Sequence, residues 1–166
     1  LPDTGRCLLS QEGGKVHIRT SAACMGQGIA TMCAHMICKT TGLAPQALVY
    51  ERPDTVRTPN SGTSTASRQT VISGEAVRRA AERLAAELQS GKSLKELEGQ
   101  EFHGEFLAET DPMGSPKDNP VSHVSYSYSA QVVILDEQGK VEKIVAANDV
   151  GAVVNRQSLE GQVEGG

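Results

Sequence analysis

Residues 23–35, ACMGQGIATMCAH, place Gln27 between two glycines immediately ahead of a periodic apolar segment. The apolar side chains that follow recur at the spacing of one helix face: Ile29, Met32, Cys33, Met36 and Ile37. This spacing predicts a helix from about Gly28 to Thr41, and Gly42 is its expected C-terminal stop. We therefore expect the glycine-flanked glutamine at the corner where a strand ends and the helix begins.

This corner has the chemistry of a ligand contact. A helix N-terminus presents unpaired backbone N–H groups and a partial positive charge. Glycines allow a ligand to approach that backbone closely, and the Gln27 amide both donates and accepts hydrogen bonds. Gln27 and Gly28 are therefore candidates for recognising a polar or anionic ligand. The alternative is a tight corner that carries an exposed glutamine, because short glycine motifs are weak signals.

The segments on either side of the corner predict an α+β protein. GRCLLSQEGGKVHIRTSA, residues 5–22, alternates around Glu12-Gly13-Gly14 and predicts a β-hairpin. The other expected elements are short strands at 47–51 and 101–109, a long helix at 68–90, a second hairpin at 123–151 and the start of a last helix at 156–166. Hairpins mixed with two long helices, without regular βαβ alternation, are typical of the α+β class.

A polar segment, RPDTVRTPNSGTSTAS at residues 52–67, precedes the long helix and has no apolar period. Its end, GTSTASRQT at 62–70, brings five hydroxyl residues, a guanidinium and an amide to a helix N-terminus. This set suits a phosphate or a polar heterocycle, and long loops in compact domains are often functional. N-capping by Ser67 or Thr65 is the alternative, but one cap explains one hydroxyl. We expect a ligand to supply the hydrogen-bond partners of this loop.

A third polar corner is EGQVEGG, residues 160–166, where Gln162 follows a glycine near the start of the predicted last helix. A cap and a turn would explain this segment by itself. All three segments are polar and lie at junctions between secondary-structure elements. This favours one ligand that contacts all three over three unrelated caps or turns.

Composition narrows the class of protein. The net charge is -4 without a basic stripe, and no apolar run is long enough to span a bilayer. We therefore expect no nucleic-acid partner, no membrane partner and a cytoplasmic location. Aromatic residues make up only 3% of the chain, so the core must be aliphatic. The four cysteines form no C-x-x-C pair and are expected to be reduced, packed thiols: Cys7, Cys24, Cys33 and Cys38.

Other arrangements of reactive residues are absent from the sequence. The four histidines show no metal-ligand spacing, and His35 is expected to be an exposed helix residue. There is no Ser/His/Asp signature and no P-loop. Asp149 is interpreted as a turn-forming residue rather than a catalytic acid. No residue is therefore predicted to be catalytic or to bind a metal ion directly.

Three segments in order, MGQG, PNSGTSTASRQTVISGEAV and ANDVGAVVNRQSLEGQVEGG, resemble the molybdenum-cofactor-binding part of the xanthine dehydrogenase and aldehyde oxidase family. The similarity runs from about Gly5 to Gly166. It implies a molybdopterin-binding region of a larger oxidoreductase, which hydroxylates a purine or aldehyde carbon with oxygen taken from water. It also implies partners, namely the remainder of the molybdenum-binding chain and the iron–sulfur and FAD-containing domains or subunits that carry electrons away.

The resemblance also implies roles for individual residues. Gln27, beside Gly28, would reach the cofactor, and Gln162 would contact the pterin side. The loop before the long helix would bring four consecutive residues to the dithiolene and pterin: Ala66, Ser67, Arg68 and Gln69. In this family the molybdenum is bound by the dithiolene sulfurs and by no protein side chain, which agrees with the lack of a His/Cys cluster.

The chain also departs from the family's pattern. Arg156 stands where the family often has proline, and Cys24 stands where an acidic residue is common. The family's Gly-x-Gly-Glu motif, which carries its glutamate base, does not occur in the sequence, so the chain alone is expected to be inactive. The segments SAACMGQGIATM and EGQVEGG look closest to bacterial selenium-dependent xanthine dehydrogenases.

We expect residues 1–166 to form one partial domain of a longer chain, because the sequence opens almost directly on a strand and stops within a predicted helix. The competing interpretation is a stand-alone, non-enzymatic α+β module that binds an anionic ligand at its glycine-rich helix N-termini. A Gly-x-Gly-Glu motif further along the reading frame would favour the enzyme, and a stop codon there would favour the module.

Overall fold

The computed structural model describes residues 3–64 and 67–165 and confirms the α+β class. Its strands are β1 (Asp3–Glu12), β2 (Lys15–Arg19), β3 (Leu48–Tyr50), β4 (Glu101–Ala108), β5 (Tyr128–Leu135) and β6 (Val141–Asp149). Its helices are α1 (Ile29–Thr41), α2 (Gln69–Gln89) and α3 (Arg156–Glu164), with a 3-10 turn at Pro45–Ala47. The chain forms two compact units that divide between Glu109 and Thr110.

The first unit is built on a four-stranded sheet in the order β3-β2-β1-β4. β1 and β2 form the predicted hairpin, with Leu9 opposite Ile18. Gly13 and Gly14 have positive φ in its turn, a conformation that strains residues with a side chain. β2 pairs with β3 in parallel, and β1 pairs with β4 in antiparallel. The sequence therefore predicted the strands of this unit correctly.

Both predicted helices of this unit are present. α1 ends at Thr41, and its C-cap Gly42 is left-handed and donates its N–H to the Cys38 carbonyl oxygen at 2.9 Å. α2 lies across β1 and β4, and α1 packs on α2. The buried side chains include these aliphatic residues: Leu9, Val16, Ile18, Ile29, Ile37, Ile72, Val77, Ala80 and Leu84. The predicted aliphatic core is confirmed.

Two glycines let α2 approach the backbone of the sheet. A Cβ on Gly104 in β4 would lie 1.9 Å from the Ala76 carbonyl oxygen, and a Cβ on Gly5 in β1 would lie 2.3 Å from the Ile72 carbonyl oxygen. Both distances are far inside van der Waals contact. The absence of side chains at these two positions therefore sets how closely α2 packs on the sheet.

The second unit contains the predicted β5–β6 hairpin and α3. Val132 lies opposite Val145 and Val133 opposite Ile144, so apolar side chains occupy both faces of the ribbon. Every residue of both strands is exposed. Such a two-stranded ribbon is marginally stable by itself, and strands with apolar residues on both faces are typically covered on both.

The cysteine prediction is only partly confirmed. All four thiols are free, and Cys7 and Cys33 are buried, so that burial raises the pKa of the Cys33 thiol to about 12. Cys24 is exposed, contrary to the expectation of a packed thiol, because it lies in the turn before α1 rather than on a helix face.

His35 is exposed as predicted. None of the helices in the described part of the chain combines the length and the apolar character needed to cross a bilayer.

Candidate functional site

The first predicted corner is a turn that only glycines adopt easily. Gly26 and Gly28 have φ values of 108° and 82°, and Gly28 is the N-cap of α1. Gly28 has no side chain, so no side-chain hydrogen bond caps this helix, and the first intrahelical bond runs from the Met32 N–H to the Gly28 carbonyl oxygen. The N–H groups of the first helical residues therefore point out of the helix end without intrahelical partners.

The Gln27 side chain braces this turn. Its Nε2 donates to the Ala23 carbonyl oxygen at 3.0 Å, and its Oε1 accepts the Met25 N–H. The residue is nevertheless exposed, and an amide side chain has one further donor hydrogen and one further acceptor lone pair beyond these two bonds. Gln27 therefore holds the glycine corner in shape and retains hydrogen-bonding capacity on its outer side.

The same corner favours negative charge. The pKa of the exposed Cys24 thiol is lowered, chiefly because the Gly26 and Ile29 backbone N–H groups hydrogen-bond to its sulfur. A Cβ placed on Gly26 would meet no atom within 4 Å, so the space beside the turn is open. The α1 N-terminus thus combines converging N–H groups with room for an anionic or polar ligand.

The loop before α2 is anchored by its own chain, which corrects the expectation that a ligand supplies its partners. β1 pairs with β2 only from Leu8 onward, which leaves an open edge at the start of β1. Ser61 is fully buried against that edge, where its Oγ accepts the Arg6 N–H at 3.0 Å and donates to the Arg6 carbonyl oxygen. Its N–H donates to Ser21 Oγ at 2.6 Å. Unpaired strand groups therefore provide the partners.

Arg68 completes this anchor. Its Nη2 donates to the Thr4 carbonyl oxygen at 2.9 Å, its Nη1 donates to the carbonyl oxygens of Ser61 and Thr63, and its Nε donates to Asp3. The guanidinium group thus joins the end of the loop to β1. In this structure Arg68 fixes the position of the second corner.

Gln69 and Ser67 lie at the start of α2, which also lacks a side-chain cap. The Gln69 side chain is buried, and its Nε2 donates to Ser64 Oγ at 2.9 Å. Ser67 has a φ of 55°, the only positive φ at a non-glycine residue in the described part of the chain. Such strain is often found at functional sites. Ala66 lies outside the described residues.

The structure joins two of the three predicted corners. Ser64 Oγ also accepts the Ala23 N–H at 2.8 Å, so one hydroxyl connects the turn before α1 with the start of α2. Ser64 lies within the hydroxyl-rich stretch, but the sequence does not distinguish it from its neighbours. Two helix N-termini without side-chain caps therefore belong to one hydrogen-bonded assembly within the first unit.

The third corner differs from its prediction. α3 begins at Arg156 and is capped by Asn155, whose Oδ1 accepts the Ser158 N–H at 3.1 Å. Gln162 is exposed and lies in the last turn of α3, not near its start. It belongs to the second unit. Asp149 has the predicted turn role, since its Oδ1 accepts the Gly151 N–H at 3.1 Å.

A separate cluster brings together residues that the sequence did not connect. Ligand atoms of Glu12, His17 and Glu51 lie within 4.8 Å of one another. Arg19 Nη2 lies 2.7 Å from both carboxylates, so a guanidinium already serves as their shared cationic partner. The cluster is therefore a partly buried ion-pair network around the buried Arg19 that joins β1, β2 and the residue after β3, and a cation there would face Arg19.

This network predicts a pH dependence of stability. Arg19 holds the pKa of Glu51 at about 2, below its ordinary 4.5, with further lowering by His17 and Arg57. Because the folded pKa is depressed, the stabilisation is present above pH 4.5 and is lost as the pH falls toward 2. We expect Glu51→Gln to remove about 2 kcal/mol of the stability that the wild type loses between about pH 6 and pH 3.

Urea unfolding at the two pH values, compared between wild type and Glu51→Gln, measures this difference. Glu109→Gln is a matched control, because Glu109 is an exposed carboxylate of the same unit that lies outside this network. An identical pH dependence in wild type and Glu51→Gln would contradict the description of the network.

Comparison with known proteins assigns the chain to a family. Residues 3–111 match the family described as "Molybdopterin cofactor-binding domain". This match covers most of the chain, and the chain belongs to that family.

Two curated relatives resemble nearly all of the chain. The aldehyde oxidoreductase of Megalodesulfovibrio gigas is 29% identical over 92% of the chain, and this alignment covers 19% of the relative. The 6-hydroxypseudooxynicotine dehydrogenase complex subunit gamma of Paenarthrobacter nicotinovorans is 26% identical over 98% of the chain and 25% of its own length. The chain thus spans a fifth to a quarter of these relatives.

Solved structures give the same picture of the fold. The aldehyde oxidoreductase of Desulfovibrio desulfuricans superposes with a TM-score of 0.86 at 26% identity, covering 99% of this chain and 20% of that one. The aldehyde oxidoreductase of Desulfovibrio gigas superposes with a TM-score of 0.81 at 24% identity over the same share. The arrangement of strands and helices is therefore that of a segment of these larger proteins.

The described residues fit a molybdopterin cofactor. The pterin ring offers hydrogen-bond donors and acceptors, and the dithiolene is anionic. The joined corners present N–H groups at two helix ends, the outward part of the Gln27 amide and an environment that lowers the pKa of Cys24. These are the groups that polar and anionic ligands require.

Proposed function

We propose that this chain forms part of the molybdopterin site of a molybdenum hydroxylase, an oxidoreductase that acts on a purine or an aldehyde. The observation that carries the proposal is the joining of two helix N-termini without side-chain caps at Ser64, in a chain of the molybdopterin cofactor-binding family. When bound, the cofactor supplies the redox chemistry. The chain's own residues bind and orient it.

Some of these residues contact the cofactor, and Arg68 holds the contacting segment in place. Gln27 and Gly28 contact the cofactor at the α1 corner through the outward amide atoms and the backbone. Ala66, Ser67 and the Gln69 backbone form the α2 side, since the Gln69 side-chain amide already bonds within the chain. Gln162 contacts the pterin. Arg68 acts chiefly by holding its loop on β1, since most of its donors already bind carbonyl oxygens and Asp3.

The remainder of the molybdenum-binding chain is the proposed direct partner. The apolar faces of β5 and β6 support this, because both are exposed while relatives four to five times as long contain the same segment. Iron–sulfur and flavin domains or subunits would accept the electrons. We further propose that residues 1–166 are one partial domain, that the protein is cytoplasmic, and that the chain alone is inactive.

The relatives and the sequence segments support two different substrate classes. An aldehyde oxidoreductase among the similar proteins supports an aldehyde. The resemblance of SAACMGQGIATM and EGQVEGG to selenium-dependent xanthine dehydrogenases supports a purine substrate. Turnover of the purified parent enzyme with xanthine and with a panel of aldehydes distinguishes the two.

The stand-alone module is the competing function. It would bind simple anions at the two helix N-termini and would show no preference for molybdopterin. Molybdenum and pterin analysis of the natural protein tests this, because the proposed enzyme carries both in equal amounts and the module carries neither.

We expect Gln27→Ala to weaken molybdopterin binding roughly two- to tenfold, which corresponds to the loss of one hydrogen bond. The molybdenum-to-protein ratio at limiting cofactor measures this loss. Gln138→Ala is the control, because Gln138 lies in the β5–β6 turn and contributes its backbone N–H there. Full loading of Gln27→Ala at limiting cofactor would show that its amide does not contact the cofactor.

A further inference from the structure

The Ser64 hydroxyl lies between the two corners and accepts a hydrogen bond from each side. Its Oγ accepts the Ala23 N–H at 2.8 Å and Gln69 Nε2 at 2.9 Å. Ala23 directly precedes the exposed turn that begins at Cys24, and Gln69 is the first residue of α2. A single hydroxyl oxygen therefore connects the segment that carries the first corner with the helix that carries the second.

The hydrogen bonds continue on both sides of this hydroxyl. The Ala23 carbonyl oxygen accepts Gln27 Nε2 at 3.0 Å, which reaches the glycine corner. Gln69 Oε1 accepts the Ser73 hydroxyl, and Ser73 is fully buried within α2. A series of hydrogen bonds, linked through the Ala23 backbone and the Gln69 side-chain amide, thus runs from an exposed corner to the interior of the long helix, with Ser64 at its centre.

We propose that Ser64 is a positioning residue for molybdopterin, a role that rests on the proposed function. It fixes the separation of the two helix N-termini before the cofactor arrives and does not itself contact the cofactor. A ligand that bonds to both corners binds more tightly when their spacing is set in advance, because less conformational entropy is lost on binding.

The chain offers three informative variants. Ser64→Ala removes the acceptor of both donors, and Ser64→Thr keeps a hydroxyl at the same place. Thr63→Ala is the matched control, because Thr63 contributes its carbonyl oxygen to Arg68 and Gln69, and this atom survives the substitution. Each variant is made in the full-length natural protein.

Two measurements distinguish a role of Ser64 in positioning the two corners for the cofactor from a role in fold stability alone. The first is the rate at which molybdenum and pterin are lost on dilution, and the second is hydrogen exchange at the Ala23 amide in cofactor-free protein. We expect Ser64→Ala to lose cofactor about tenfold faster and to exchange the Ala23 amide faster. Ser64→Thr should restore both, Thr63→Ala should change neither, and the urea midpoint without cofactor should stay near the wild-type value.

Different outcomes overturn different claims. Cofactor retention by Ser64→Ala equal to that of wild type would overturn the positioning role and leave the proposed function intact. Cofactor loss that follows a lowered urea midpoint and is shared by Thr63→Ala would reduce Ser64 to a structural contact. Wild-type protein that carries no molybdopterin would overturn the proposed function itself.

Discussion

Gly104→Ala is expected to destabilise the first unit by about 3 kcal/mol or more, as overpacking in a close-packed interior does. The added Cβ would lie 1.9 Å from the Ala76 carbonyl oxygen and 2.7 Å from the Ala80 nitrogen, both of which are backbone atoms of α2. Backbone atoms cannot rotate away, so the helix must move off the sheet. In most strands the same change would be favourable, because glycine is the more flexible residue when unfolded.

The melting temperature and the urea midpoint measure this effect. We expect the melting temperature to fall by roughly 15 °C for a unit of this size. Gly74→Ala is the matched control, because its Cβ would meet the flexible side chains of Met32 and Met36 at 3.2 and 3.3 Å. It should stay within about 1 kcal/mol of wild type. Equal stability of Gly104→Ala and wild type would show that α2 does not rest on the β4 backbone.

Arg68→Ala should cost about 3 kcal/mol of unfolding free energy, because it removes one partner from a largely buried set of charge-assisted bonds. The carbonyl oxygens of Thr4, Ser61 and Thr63 lose donors together with the Asp3 carboxylate. The end of the loop then loses its attachment to β1. Molybdopterin binding by the parent protein should fall with it, because the α2 corner is no longer held in place.

Two further variants test whether geometry or charge matters. Arg68→Lys keeps the charge but cannot supply the fork of donors, so we expect an intermediate loss. Arg78→Ala removes an arginine of α2 whose partners, Glu75 and Glu82, are on the surface, and should cost no more than about 1 kcal/mol. Equal losses for Arg68→Ala and Arg78→Ala in urea unfolding would contradict the anchoring role.

The helices and hairpins could be predicted because their signals are local. The 3.6-residue spacing from Ile29 to Ile37 and the left-handed Gly42 define α1 within one short stretch. The β5–β6 hairpin follows from two long arms around one turn at Glu137-Gln138-Gly139. The two glycines of the first corner were also recognisable, and the structure adds that both have positive φ.

Features that depend on distant pairing could not be predicted. The buried position of Ser61 arises because β2 ends before it covers the start of β1, and no pattern within residues 52–67 indicates this. The roles of Arg68 and Ser64 depend on the same approach of the loop to β1 and to Ala23. Cys24 was expected to be packed because its neighbours are apolar, but a turn, not a helix, determines its exposure.

A structure of the parent protein with its cofactor is the most direct test of this site. We expect polar cofactor atoms within about 3.2 Å of the backbone N–H groups at the start of α1 and of polar groups at the start of α2. Ser64 Oγ should still accept from Ala23 and Gln69 and should lie outside contact with the cofactor. A cofactor bound to other elements, with solvent at both helix N-termini, would show that these two corners do not form the molybdopterin site.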